Sequence, residues 1–326
     1  MRAIWYDEQG RAADVLTLGE IEPAEPGPGE VAVRIAASGV NPSDVKQRAG
    51  ARGPMNVARQ IPHSDGAGEI EAVGEGVDTA RIGERVWLYN AAFRRAGGTC
   101  AETCVLPSDF AVTLPQGTEF IHGAALGVPA MTAHRALTCA GPVMGASVLV
   151  TGGAGSVGNA AIQLARSMGA ARVITTVSSP EKAEAAWTAG ADEVIDYTAQ
   201  DVVEAVRAAT DGQGVDHVVE VEFGGNLRAS AEILKPHGSI AAYGSEAERT
   251  PELDFYPLMF RNASIHTVFV YQLTLERRAR AAFEITRALK DGALTPLIDR
   301  TYALEDCVSA HERVEDGKIG SVVVEV

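Results

Sequence analysis

One stretch of the chain limits its possible folds more than any other. The apolar run Val148-Leu149-Val150-Thr151 leads into Gly152-Gly153-Ala154-Gly155-Ser156-Val157-Gly158, and an Ala- and Leu-rich helical segment, Ala160-Ala161-Ile162-Gln163-Leu164-Ala165, follows at once. A buried strand, a G-x-G-x-x-G turn and a helix start in that order form a phosphate cradle. The first glycine permits a tight turn, the second lets backbone approach a pyrophosphate, and the third lets helix and strand pack closely. Unpaired N–H groups at the helix start, with the positive end of its dipole, then face the phosphates. Gly153, Ala154, Gly155, Ser156, Val157 and Gly158 are therefore expected to hold a nicotinamide dinucleotide, which points to an oxidoreductase.

The surrounding pattern supplies the sheet that such a turn needs. Short continuous apolar runs at 147–151, 172–177, 193–196, 215–221, 239–243 and 264–270 alternate with helical stretches at 157–168, 181–189, 199–210 and 227–234. That alternation predicts βαβ units on a doubly wound, six-stranded parallel sheet of the Rossmann kind, an α/β fold. Residues 1–120 instead carry short alternating strands broken by turns such as Pro26-Gly27-Pro28-Gly29, the mark of a β-rich domain. After a helical stretch at 275–290, two strand candidates at 297–302 and 321–326 are expected to return to the first domain. At 326 residues two domains are expected, with boundaries placed at 1–122 plus 271–326 and at 123–270.

The end of the second Rossmann strand discriminates between cofactors. An enzyme for NADH places an acidic residue there to hold the ribose 2′-hydroxyl, whereas this chain has Ser178, Ser179 and, one turn on, Lys182. Hydroxyls and a cation suit a 2′-phosphate, so NADPH is expected over NADH. Ser179 also suits the N-cap of the helix that opens at Pro180, a role compatible with phosphate binding.

A formal net charge of −15 makes nucleic acid and anionic membrane surfaces poor partners, so any phosphate site must be local. The four cysteines are too few and too scattered for a disulfide framework, and no apolar run reaches the length of a bilayer span. A cytoplasmic protein is expected, with a small-molecule substrate and neither nucleic acid nor membrane as partner.

Four segments carry a resemblance over essentially the whole chain: Ser38-Gly39-Val40-Asn41-Pro42-Ser43-Asp44, His63-Ser64-Asp65-Gly66-Ala67-Gly68-Glu69, Gly127-Val128-Pro129-Ala130-Met131-Thr132-Ala133-His134, and the glycine turn. With them the sequence resembles the quinone oxidoreductase branch of the medium-chain dehydrogenase/reductase superfamily, the zinc-independent group that includes the zeta-crystallins. The resemblance implies a GroES-like first domain, a Rossmann domain inserted after it, and a cofactor in the cleft between them. It also implies NADPH-dependent reduction of quinones or other conjugated carbonyls by a homodimer or homotetramer. By position it implies that Ser179, Lys182 and Tyr197 hold the 2′-phosphate, with Lys318 near a C-terminal basic position of the same kind. It further implies that Asn41, Thr132, Gly244 and Ser245 line the cofactor cleft, and that Val268-Phe269-Val270-Tyr271 passes under the nicotinamide. The chain departs from the family in its glycine turn and in lacking an aromatic residue among Val45-Lys46-Gln47.

Zinc enzymes of that superfamily need Cys or His at three places, which here carry Asn41, Ser64 and Val128-Pro129, so no catalytic metal is expected. His63 reads as a cleft-edge or packing histidine, and Cys100 and Cys104 read as two small buried hydrophobes on one strand face. Without a metal to polarise a carbonyl, the acceptor must already be electrophilic, and catalysis reduces to positioning. Asn41 and Thr132 are the catalytic candidates, to orient the cofactor carboxamide or donate to a developing oxyanion. Packing in the cleft is an equally open role for both. Tyr271 and Tyr89 are weaker proton donors, and Asp44 reads as a local structural residue. Two alternatives stand beside quinone reduction: an enoyl or alkenal reductase, and a non-catalytic NADPH-binding homologue.

Overall fold

Met1–Val128 and Pro296–Val326 fold together as one unit of the computed structural model, which describes residues 1–326, and Pro129–Thr295 fold as another. The first unit opens with an antiparallel pair, β1 (Arg2–Trp5) and β2 (Thr17–Glu20), flanking the short helix α1 (Ala12–Val15). Strand β3 (Glu30–Val40), helix α2 (Pro42–Arg48), then β4 (Asp65–Val73), β5 (Arg85–Leu88), β6 (Thr103–Pro107), β7 (Ala111–Thr113) and helix α3 (Phe120–Gly123) follow. β3 organises this half, pairing antiparallel with β4 along one side and with β6 along the start of the other. Alternation on these strands buries Val31, Val33, Ile35, Ile70, Val86, Leu88, Cys104 and Leu106 in a common core.

Helix α4 (Gly127–Thr138) leads into the second unit, where six strands lie parallel: β8 (Ser147–Val150), β9 (Arg172–Val177), β10 (Glu193–Asp196), β11 (Val215–Glu220), β12 (Leu234–Ala242) and β13 (Ser264–Thr267). Their order across the sheet is β10-β9-β8-β11-β12-β13, so the winding reverses between β8 and β11. Ligands of open α/β sheets bind beyond the C-terminal strand ends at such a reversal. The crossover helices are α5 (Ser156–Ser167), α6 (Pro180–Thr188), α7 (Val202–Ala209), α8 (Phe223–Ile233) and α9 (Phe255–Phe260). Helix α8 starts four residues before the expected 227. Gly224 and Gly225 hide its first turn from propensity, and Gly224 is required there because a Cβ would collide with the Glu248 carbonyl oxygen. Strand β13 stops at Thr267, and Val270–Gln272 form a single 3₁₀ turn instead of continuing it.

Helix α10 (Leu275–Lys290) corrects the expected boundaries, for it belongs to the second unit and not with 296–326. Side-chain contacts hold it there: Glu284 Oε2 lies 2.7 Å from His134 Nε2 on α4. Gln163 on α5 then exchanges two hydrogen bonds with the backbone of Thr295, at 2.8 and 2.9 Å. The chain divides at 128/129 and 295/296, against the expected 122/123 and 270/271. Beyond it, β14 (Ile298–Ala303), helix α11 (Cys307–Glu315) and β15 (Ser321–Glu325) return to the first unit. β14 pairs parallel with β15, and β15 pairs antiparallel with the far end of β3. No helix is long and apolar enough to cross a membrane.

Candidate functional site

The glycine turn sits between β8 and α5, at the reversal point of the sheet. Gly152 takes the left-handed conformation (φ +71°), so the tight turn assigned from sequence to Gly153 is made one residue earlier. Gly153 has a different reason to be glycine: a Cβ there would collide with Thr175 Oγ1 on β9. A Cβ on Gly158 would strike the Gly152 carbonyl oxygen, which fixes how closely α5 approaches the turn. Gly155, the N-cap of α5, is otherwise placed, since its Cβ would meet nothing nearer than Gly152 O at 3.4 Å. The space over Gly155 is therefore open. The turn is tied down by Gly153 N donating to Thr176 O (3.0 Å) and Gly152 N donating to Thr176 Oγ1 (3.1 Å).

At the end of β9 the structure brings Ser178, Ser179 and Lys182 together. Ser179 Oγ caps α6 by accepting the Lys182 N–H, and Lys182 Nζ donates to Ser178 Oγ at 2.8 Å. Tyr197, just past β10, lines a cavity of about 390 Å³ with Gly152, Thr176, Glu222 and Asn226. That volume lies in the range of small-molecule sites.

Two carboxylates of this cavity region went unnoticed in the sequence. Glu220, buried at the end of β11, accepts from Thr151 Oγ1 (2.8 Å), Glu222 N (2.8 Å), Asn226 Nδ2 (2.9 Å) and Ser230 Oγ (3.0 Å). Burial raises its pKa against the pull of those four donors. Glu222 Oε2 accepts from Glu246 N at 2.7 Å, while its buried Oε1 has no hydrogen-bond partner. Their signal was an acidic pair at the C-terminal end of an otherwise apolar strand.

The other positions in this unit lie at the same sheet edge or on α4. Gly244 follows β12 and accepts from Phe223 N (2.8 Å), and a Cβ on it would collide with the Val221 carbonyl oxygen. Ser245 Oγ accepts from Gly224 N (2.9 Å) and donates to Glu248 O. Past β13, Phe269 is partly exposed and Val270 is buried. Thr132 is buried on α4.

The first unit builds a polar centre around Asp65, a residue that the sequence reading passed over. Asn41, the residue before α2, donates Nδ2 to Asp65 Oδ2 at 2.7 Å, and Val128 N donates to the same oxygen at 2.7 Å. Asp65 Oδ1 is buried with no partner, and burial, reinforced by Asp44, holds this carboxyl well above the usual carboxylate range. Asp44 accepts from Asn41 N at 2.9 Å, anchoring the start of α2. Tyr89 donates its hydroxyl to Asp109 O (3.0 Å), which commits the proton that a donor role would need.

Lys318 lies in the first unit, in the segment between α11 and β15. Its ammonium donates to Gly320 O, and burial lowers its pKa to about 8. Cys100 and Cys104 are both buried but do not share a face: Cys104 points into the β3–β4 core, and Cys100 joins a second core with Cys307 on α11. Strand β6 begins at Thr103, so only Cys104 lies on it.

Comparison with known proteins follows this division. Residues 27–116 match the model described as the alcohol dehydrogenase GroES-like domain, and residues 156–286 match the zinc-binding dehydrogenase model. The chain is 30% identical over 327 residues to a quinone oxidoreductase of Rattus norvegicus, covering 99% of this chain and 97% of that protein. It is 30% identical over 337 residues to a 2-haloacrylate reductase of a Burkholderia species, covering 99% and 98%. The solved Escherichia coli quinone oxidoreductase complexed with NADPH superposes with a TM-score of 0.88 at 26% identity, each chain covered completely. Zinc appears in one family description, but the donor set here does not fit a catalytic ion. Asn41 gives its amide to Asp65, Ser64 is a hydroxyl, and Val128 offers only backbone.

Proposed function

This chain belongs to the quinone oxidoreductase branch of the medium-chain dehydrogenase/reductase superfamily, and from that premise we propose that it reduces quinones with NADPH by hydride transfer, without a metal at the reacting atoms. The observation that carries this reading is the set Asn41, Ser64 and Val128 at the three metal positions. With no Lewis acid at the carbonyl, the acceptor must be electrophilic on its own, as a quinone is.

The backbone of Gly153-Ala154-Gly155-Ser156-Val157-Gly158 would hold the pyrophosphate, and Ser178, Ser179 and Lys182 the 2′-phosphate, with Tyr197 beside the adenosine. Gly244, Ser245, Phe269 and Val270 follow the C-terminal strand ends, where the rest of the cofactor would run. Bound there, NADPH supplies the hydride. Asn41, oriented by Asp65, would donate to the oxygen on which charge develops, and Thr132 would act from α4 in the same way.

The 2-haloacrylate reductase relative supports a second reading, reduction of a conjugated acid or enone on the same scaffold. Steady-state oxidation of NADPH against a small para-quinone, a simple enone and a 2-haloacrylate separates the two. Turnover confined to the quinone supports the first reading, turnover confined to the alkenes replaces it with the second, and tight NADPH binding without oxidation of any substrate identifies a binding protein.

Assembly follows from the same premise: a homodimer joined at the edge of the six-stranded sheet. β13 ends the sheet with one side unpaired, and Phe255, Tyr256, Met259 and Phe260 on the preceding helix α9 are exposed. An open sheet edge and an exposed aromatic patch are surfaces that proteins normally cover.

A further inference from the structure

Helix α11 places Cys307 and His311 one turn apart on the face it buries, where both are fully excluded from solvent. They meet His63, from the segment before β4, and Cys100, from the loop before β6, both fully buried as well. His63 Nε2 lies 2.9 Å from His311 Nε2, and Cys307 Sγ lies 3.6 Å from Cys100 Sγ. The ligand atoms of His63, Cys307 and His311 all fall within 4.8 Å of one another. Around a tetrahedral Zn²⁺, with Zn–N of about 2.0–2.1 Å and Zn–S of about 2.3 Å, neighbouring nitrogens stand roughly 3.3 Å apart and neighbouring sulfurs roughly 3.8 Å. The 2.9 Å nitrogen pair and the 3.6 Å sulfur pair are within a few tenths of an ångström of those edges.

The neighbouring hydrogen bonds fix which imidazole nitrogen is free to ligate. Thr99 Oγ1 donates to Asp65 O at 2.5 Å, which uses the Thr99 proton. Ser38 Oγ, 2.7 Å from Thr99 Oγ1, must then donate to it, and so accepts from His63 Nδ1 at 2.8 Å. His63 therefore carries its proton on Nδ1 and turns the lone pair of Nε2 towards His311 and Cys307. A metal-bound histidine is oriented by its other nitrogen in this way. His311 Nε2 then supplies the proton of the 2.9 Å contact, which leaves His311 Nδ1 buried without a partner, as found.

A further feature fits a ligand set better than a packing cluster. His63 holds a left-handed backbone (φ +75°), where glycine is favoured, so an imidazole is kept there at a cost in strain.

We propose that His63, Cys307 and His311 bind a structural Zn²⁺, with Cys100 closing the fourth position. Two imidazoles and two sulfurs with no oxygen donor select a borderline-soft tetrahedral ion over Mg²⁺ or Ca²⁺. Binding releases the thiol protons to solvent and leaves the His311 proton on Nδ1 in place of Nε2, and because the site is enclosed the ion enters as the chain folds. The metal would tie α11 to the segment that precedes β4.

The test is refolding of the full chain with Zn²⁺ or Co²⁺, followed by metal analysis and, for cobalt, near-ultraviolet thiolate-to-metal charge transfer. The expected result is metal stoichiometric with the chain and a strong charge-transfer band. Both fall at least about tenfold in Cys307→Ser and in His63→Gly and persist in Cys139→Ser, a tenfold change being about 1.4 kcal/mol. His63→Gly guards against misfolding as the explanation, since glycine accepts φ +75° without strain. Wild-type protein that takes up neither ion, metal uptake unchanged in both ligand variants, or a Cys100–Cys307 disulfide found by thiol counting in the metal-treated protein would each overturn the assignment.

Discussion

Lys182 Nζ donates to Ser178 Oγ across 2.8 Å, while the backbone N–H of the same lysine is capped by Ser179 Oγ. One helical turn therefore delivers an ammonium and two hydroxyls to the end of β9, the place where adenosine ribose is read. If this group binds a 2′-phosphate, Lys182→Ala removes a charge-assisted hydrogen bond of about 1.5–3 kcal/mol and weakens NADPH roughly 10- to 100-fold. NADH, which lacks the phosphate, changes little. Fluorescence titration with both cofactors measures this, and equal weakening of the two would remove Lys182 from the phosphate site.

The glycines of the turn separate folding from binding. An alanine at 158 collides with the Gly152 carbonyl oxygen, an overpacking that costs about 1–3 kcal/mol and lowers the melting temperature with or without cofactor. An alanine at 155 meets only Gly152 O at 3.4 Å, so the apo protein melts as the wild type does. Its methyl instead enters the space of the pyrophosphate and raises the dissociation constant for NADPH by about tenfold or more. Thermal melts of both variants with and without NADPH check the contrast. A Gly155→Ala protein that binds normally would move the phosphate elsewhere.

These predictions rest on features legible in a few consecutive residues. Strand, turn and helix around Gly153 are written by local apolar periodicity and by glycine, and the βαβ spacing then gives a doubly wound, six-stranded parallel sheet. Asp65 was hidden because its partners Asn41 and Val128 are distant in sequence, and neither residue type announces a carboxylate partner. His63 and His311 are 248 positions apart and meet only because β15 pairs with β3 and carries α11 with it. Helix α10 was legible to the residue as a helix but not as a member of the second unit, since the partner of its Glu284, His134, belongs to another element. Local pattern gives elements, and the contacts that assemble sites come from topology.

The exposed face of α9 makes the oligomer testable. Phe260 is 74% exposed and Tyr256 63%, on the helix that precedes the edge strand β13. If they form the centre of a dimer interface, Phe260→Glu removes an aromatic anchor worth about 2 kcal/mol or more and raises the dimer dissociation constant at least about 30-fold. Light scattering coupled to size exclusion at low micromolar concentration would show the variant shifting to monomer. A wild-type chain that is monomeric at every concentration would leave this surface without its proposed partner.

His217 sets a pH dependence that is independent of the site chemistry. On β11 it is buried, donating Nε2–H to Ala136 O at 2.8 Å and accepting at Nδ1 from Ser239 Oγ at 2.7 Å, so the neutral ring is fully paired. Burial, the largest cause, lowers its pKa from 6.5 to about 4 against the pull of the Ala136 carbonyl, with His266 adding to the fall. Because the folded value lies below the unfolded one, the native state binds fewer protons in that interval. The stabilisation is complete above about pH 6.5 and is lost as pH falls towards 4, at up to about 1.4 kcal/mol per pH unit, or roughly 3 kcal/mol in all. His217→Gln keeps a donor for Ala136 O but does not titrate. Its stability relative to wild type, from urea unfolding, should therefore improve by about 2–3 kcal/mol between pH 7.5 and pH 4.5. Other acid-sensitive groups are common to both proteins and cancel in the difference, so a constant gap across that range would show that His217 does not titrate as its burial requires.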